Sequence, residues 1–201
     1  MLINGSRLLG CPILSLHVGG KIATVAELII DPDTLKLLAC RVDGPLIGGD
    51  VGNILLMDDV REFSRMGMIV DSTDVFAEAD DVIRVQEVQK LQFRLLGIKV
   101  ETRQKAKLGK VSDFTLDSST WRIHQLVVQR PLLKSLIDPE LLISRREVVE
   151  VTDYKIIVKD EEKTLKQQAE KAAISTNFVN PFRQQNAPAP EPSEIKIDSK
   201  S

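Results

Sequence analysis

Along the first 160 positions, apolar residues fall in short runs separated by Gly, Pro and Asp, the spacing of an all-β chain. Positions 6–9 and 12–16 read as strand and end at Gly19-Gly20-Lys21, where paired glycines take positive φ at little steric cost. A further strand is predicted over 22–30, rich in β-branched and aliphatic residues. Asp31-Pro32-Asp33-Thr34 then turns the chain, because proline presets φ and the aspartate carboxylates bond nearby backbone amides. Positions 35–42 return antiparallel, and shorter strands are expected at 54–57 and 68–70, either side of Asp58-Asp59-Val60-Arg61-Glu62. Within 22–30 apolar and polar positions are mixed, which fits a strand covered on both faces, with the sister repeat as the candidate cover. Positions 81–91 match neither a helical nor a strand period, and positions 1–5 read as a lead-in.

The same pattern occurs twice. Arg7-Leu8-Leu9-Gly10 falls on Arg94-Leu95-Leu96-Gly97 at an offset of 87, which slips to 86 after the first turn. Val25, Glu27, Leu28, Ile30 and Asp31 then fall on Val111, Asp113, Phe114, Leu116 and Asp117, and Val42 falls on Val128. A repeat fixes architecture before any local reading does. It divides the chain into a first unit over 1–88 and a second over 92–160. In the second, Arg103-Gln104-Lys105-Ala106-Lys107 replaces the glycine-rich hairpin, and 142–158 matches 55–70. After Val158 the pattern stops. Positions 161–174 hold helix formers with almost no apolar stripe and predict a solvated helix. Positions 175–201, rich in Asn, Gln, Pro and Ala, predict a disordered tail. Its bulky group Phe178, Val179 and Phe182 is a candidate docking motif.

Charge adds an asymmetry. The net charge of −2 conceals 8 Lys and Arg against 14 Asp and Glu over 1–91, and 12 against 8 over 92–158. An acidic and a basic repeat can attract each other or face different partners; mutual docking needs no further molecule and is the expectation. Cys11 and Cys40 match Ile98 and Leu126, which predicts buried thiols acting as small hydrophobes rather than a metal site or a disulfide scaffold. Leu8-Leu9-Gly10-Cys11 is similar to a lipoprotein cleavage box, but the few residues before it hold no apolar core. No apolar run approaches the roughly 20 residues of a spanning helix, so a cytoplasmic protein is expected.

The repeating residues also resemble a known family, the PRC-barrel, over about positions 6–160. The second copy carries it best, in Gly97-Ile98-Lys99-Val100 and Thr102, then Leu108-Gly109-Lys110-Val111-Ser112-Asp113, then 123–128 and the closing 143–158. The first copy keeps Lys21-Ile22, Val25 and 28–32, with Ala23 in place of a glycine. The resemblance implies two tandem small antiparallel β-barrels and a binding or adaptor role, with no functional residues to carry over. The RNA-processing domain that accompanies the barrel in the ribosome-maturation factor of this family has no counterpart in these residues, so the full role of that factor is not expected.

No glycine-rich phosphate loop of standard spacing and no nucleophile–base set can be read from the residues. His17 is expected to be exposed, and His124, which matches Leu38, to be partly buried and structural. Asp58-Asp59 and Asp80-Asp81 lack the oxygen count of a calcium loop and read as solvated turns. Neither an enzyme nor a cofactor nor a small-molecule substrate is therefore expected. Trp121 is read as a packing residue. Arg103, Lys105, Lys107 and Lys110 around one hairpin, with Arg145 and Arg146, are the candidate contacts for RNA phosphates or another anionic partner. The function expected is a protein-interaction scaffold. An accessory role in ribosome assembly, with ribosomal RNA or protein as partner, is the alternative, and contact with an anionic membrane surface is the third.

Overall fold

The computed structural model describes residues 1–47, 52–131 and 140–160. The predicted helix over 161–174, the tail and Phe178, Val179 and Phe182 lie outside these. The first repeat supplies β1 (Leu2–Asn4), β2 (Pro12–Ser15), β3 (Gly20–Asp31), β4 (Lys36–Asp43), β5 (Ile54–Leu56), β6 (Glu62–Phe63), β7 (Met68–Val70) and β8 (Phe76–Ala77). One helix follows, α1 (Ile83–Lys90), and settles the ambiguous stretch. The second repeat supplies β9 (Lys99–Thr102), β10 (Lys107–Asp117), β11 (Ile123–Gln129), β12 (Glu140–Ser144), β13 (Val148–Val151) and β14 (Lys155–Val158). The described residues form an all-β fold with one short α-helix, and no helix among them is long and apolar enough to cross a membrane.

The two sheets have the same path. The first runs β6-β7-β2-β3-β4-β5 and adds β8 at its end; the second runs β13-β14-β9-β10-β11-β12. The outermost strands of each path are not paired with each other among the described residues, so each sheet is open in its ladders. Pairing is antiparallel except where the returning strand meets the first: β7 lies parallel to β2, and β14 parallel to β9. The expectation of wholly antiparallel sheets fails at those two pairs: four strands lie between the first and the returning one, and the 3-10 turns Met57–Asp59 and Arg145–Glu147 join strands that run in the same direction.

Two readings of the amino-terminal segment are corrected. Positions 6–9 are not strand: Gly5–Arg7 is a 3-10 turn, the Leu8 amide donates to the Gly5 carbonyl at 2.9 Å, and Gly10 takes φ +73°. This tight spiral buries Leu8 and Cys11 on one side. Positions 1–5 are more than a lead-in, since β1 pairs with β10 of the other repeat through Leu2↔Asp117, Ile3↔Leu116 and Asn4↔Thr115. A partner more than a hundred residues away leaves no local trace.

The repeats dock around a local two-fold relation. Leu35 and Trp121 match at the offset of 86, and both hold left-handed backbone, φ 50° and 56°. The Leu37 amide donates to the Trp121 carbonyl and the Ile123 amide to the Leu35 carbonyl, both at 2.9 Å, with Lys36 bridged to Arg122 between them. Left-handed backbone is costly for residues with a Cβ. Here both side chains are buried, Trp121 at 5% exposure and Leu35 fully, which anchors the turn. The Trp121 ring meets the edge of Phe63 with centroids 6.5 Å apart, as a packing residue should. One apolar core draws on both repeats, from Leu8, Leu37 and Val42 to Phe114, Leu126 and Val128. Mutual docking is thus present, but not by the predicted charge asymmetry. Among the described residues the ion pairs across it include the Met1 amino group with Asp117 at 3.2 Å and Arg94 with Glu27 at 3.8 Å, and neither involves the basic hairpin. Apolar burial and backbone pairing hold the repeats together.

A smaller cluster of Ile29, Ala39, Ile54, Val85 and Val88 seats α1 on the outer face of β3, β4 and β5. This is the second cover that the mixed pattern of 22–30 announced, and it comes from the linker helix. It also explains the error at His124. Leu38 packs against the helix cluster, whereas His124 is exposed, because no described element covers that face of the second repeat.

Candidate functional site

Four of the predicted cationic residues, Arg103, Lys105, Arg145 and Arg146, gather at one end of the second sheet. In the hairpin from β9 to β10 the Thr102 carbonyl accepts from the Lys105 amide at 2.9 Å, and the Thr102 hydroxyl accepts from the Ala106 amide at 3.3 Å. Thr102 is itself nearly buried, so the turn that carries Arg103 and Lys105 is fixed from below while their side chains stand in water. Arg145 and Arg146 sit on the 3-10 turn between β12 and β13. The Ser144 hydroxyl accepts from the Arg146 amide at 3.4 Å, and Glu147 Oε2 accepts from the Ser144 amide at 2.8 Å, a reciprocal capping box.

Ladder register brings these turns together. Val158 pairs with Val148 on one side and with Thr102 on the other. Just beyond, the Arg103 amide donates to the Val158 carbonyl at 3.1 Å and the Lys159 amide to the Glu147 carbonyl at 2.9 Å. Arg103 and Lys105 therefore flank the end of β14 on one side, and Arg145 and Arg146 on the other.

Lys107 and Lys110 belong to a second group on the sheet flank. Three residues apart on a regular strand, they would face opposite sides. Gly109 forms a bulge between them, so Lys107 lies opposite Glu101 and Lys110 opposite Lys99, two positions of one face of β9. Only glycine fits the bulge, since φ is +153° and a Cβ would lie 2.0 Å from the Gln129 carbonyl oxygen. Lys99, Lys107 and Lys110 line one groove of about 280 Å³ with Val100, Glu101, Gly109 and Pro131. Lys155 is the next residue across, in register with Lys99, with its ammonium 3.6 Å from Glu101 and 5.8 Å from the centre of the Tyr154 ring. Sequence reasoning missed Lys99 and Lys155; the signal that would have found them is register, which needs the bulge.

Like charges directly opposite on a sheet repel. None of Lys99, Arg103, Lys105, Lys107, Lys110, Arg145 and Arg146 forms an ion pair among the described residues. In the first repeat Lys36, Arg41, Arg61 and Arg84 are paired with carboxylates, and Arg7 lies over the Phe63 ring at 5.8 Å. Only Lys21 and Arg65 stand unpaired among the described residues there.

The other candidate groups are dispersed. His17 is exposed, as expected. Cys11 and Cys40 are free and buried. Burial raises both thiols, Cys40 far above the ordinary range with Cys11 adding to the effect, so both are poor nucleophiles. Among the described residues no three His, Cys, Asp or Glu side chains form a group that could hold a metal ion. Asp58 pairs with the Lys36 ammonium at 3.3 Å and Asp80 accepts from Gln86 at 3.1 Å. No family model and no curated protein matches this chain.

Proposed function

We propose that this chain is a non-enzymatic adaptor of the cytoplasm, built on two tandem PRC-type barrels, that holds an anionic macromolecule against the cationic end of its second repeat. The observation that carries the reading is the set of unpaired cations, Arg103, Lys105, Arg145 and Arg146 on turns whose backbones are tied down and Lys99, Lys107 and Lys110 on the paired strands β9 and β10. Surface cations ordinarily gain little from a single exposed pairing. A rigid set aimed at one partner gains on-rate and specificity through its summed field. The partner that best fits the scaffold role is a protein with an acidic segment. RNA is the second reading, favoured by the row of Lys99 and Lys110 along one groove, which suits contact with a phosphate backbone rather than with bases.

Cross-linked capture of the intact chain from its own cells, beside the Arg103→Gln, Lys105→Gln, Lys107→Gln triple variant, tests the reading. Loss of the captured protein from the variant supports an acidic protein partner. Loss of captured RNA, with a salt dependence shallower by about 0.7–0.9 log unit per removed phosphate contact, supports the second reading. Identical capture by parent and variant rejects both. Equal pelleting with anionic and neutral vesicles removes a membrane role for the same cations.

A further inference from the structure

The two repeats differ at one matched position in a way that opens a groove. In the second repeat Phe114 is fully buried, and its ring lies so close to Gly5 that a Cβ there would come within 2.5 Å of it. Beside it, Asp113 accepts a hydrogen bond from the Ser6 amide at 2.9 Å. In the first repeat the matching residues are Leu28 for Phe114, Glu27 for Asp113 and Gln92 for Gly5. Leu28 is smaller than the Phe114 ring, and Phe93, buried at the position that matches Ser6, takes up only part of the difference beside it. A space of about 370 Å³ lies beneath Gln89 and Gln92, and across Leu28 it adjoins one of about 520 Å³ walled by Leu9, Ile30, Leu95, Leu96 and Phe114 itself. Such volumes lie in the ordinary range of small-molecule sites.

The rim carries charge in excess. Glu27 receives Arg41 Nε at 3.4 Å and Arg94 at 3.8 Å, so two guanidiniums share one carboxylate. Most of the donors of both forks remain for another acceptor. Gln89 lines the same space, and its amide nitrogen is buried without a hydrogen-bond partner among the described residues.

We propose that this groove binds a small amphipathic carboxylate, its aliphatic body against Leu28 and the neighbouring leucines and its head group on Arg41 and Arg94. Apolar walls reward the body, and charge-assisted bonds to the free donors select an anion over a neutral or cationic head. The site is separate from the cationic end of the second repeat and stands or falls independently of it.

Calorimetric titration of the intact chain with decanoate, with decanol and decylammonium as controls, tests this. Saturable decanoate binding is expected, about tenfold or more tighter than either control, the size of one charge-assisted bond. Leu28→Phe, which rebuilds the packing of the second repeat, abolishes it, and Arg94→Gln, on an exposed side chain, weakens it about tenfold. Absence of saturable decanoate binding, equal binding of decanol, or full binding by a folded Leu28→Phe chain would overturn the proposal. If Leu28→Phe melts below the parent chain, Arg94→Gln decides: unchanged affinity rejects the site, and a loss confined to the anion upholds it.

Discussion

On the first repeat, Leu38 lies half-buried against α1, and β5 is paired on both sides, by β4 and by β8. On the second, His124 at the matching position faces solvent, and β12 pairs with β11 alone among the described residues. The outer-face residues follow suit: Ile29, Ala39 and Ile54 under the helix match Thr115, Gln125 and Leu142. One topology has thus been given two surfaces. The first copy is covered and its cations are mostly paired with carboxylates, while the second presents polar faces and unpaired cations. Duplication explains this physically, because ladder register and core volume constrain the inner face of each copy, whereas outer-face residues are free to diverge.

The comparison can be broken most directly at its packing. Phe114→Ala should cost about 3–5 kcal/mol in urea unfolding, and Leu28→Ala, half-buried at a groove that is already open, distinctly less. Equal losses would mean that the two positions are not differently packed. Gly5→Ala, which drives a methyl into the Phe114 ring, should cost about 1–3 kcal/mol by overpacking. Gln92→Gly at the matching position should leave stability unchanged or slightly raised, since φ there is 50°.

The turn aspartates sharpen the contrast in another way. Burial pushes the Asp31 carboxyl up, but bonds from Arg84 at 2.9 Å, from the Thr34 hydroxyl and from the Asp33 amide outweigh it and hold the group below its ordinary value. A carboxyl depressed in the folded state contributes stability above its unfolded pKa of about 3.9, and that contribution is lost as pH falls through the folded value. Arg84→Ala should therefore move the acid-unfolding midpoint to higher pH, as followed by circular dichroism. Ser119→Ala, at the matching turn, should move it less, because the Ser119 amide still donates to Asp117 at 3.0 Å. The smallest effect concerns Lys110. Lys110→Gln relieves repulsion from Lys99 and should raise stability by about a few tenths of a kcal/mol at low salt while weakening the anionic partner. A loss of stability instead would show that the lysines are not opposed.

Read alone, the residues announced the all-β class, the duplication, the Asp31 turn, the buried cysteines and the cationic hairpin, because each depends on local chemistry or on self-similarity. Arg103, Lys105, Lys107 and Lys110 could be named from their neighbourhood in the chain. Their company could not: Lys99 joins them only through ladder register and the Gly109 bulge, and Arg145 and Arg146 only through the end of β14. The amino-terminal strand β1, the exchange between Leu35 and Trp121 and the exposure of His124 were equally invisible. Each is set by a partner about ninety residues away or more, or by the placement of one helix. Short-range preference determined which segments become strands; burial against a distant segment decided which faces close and which remain open to a partner.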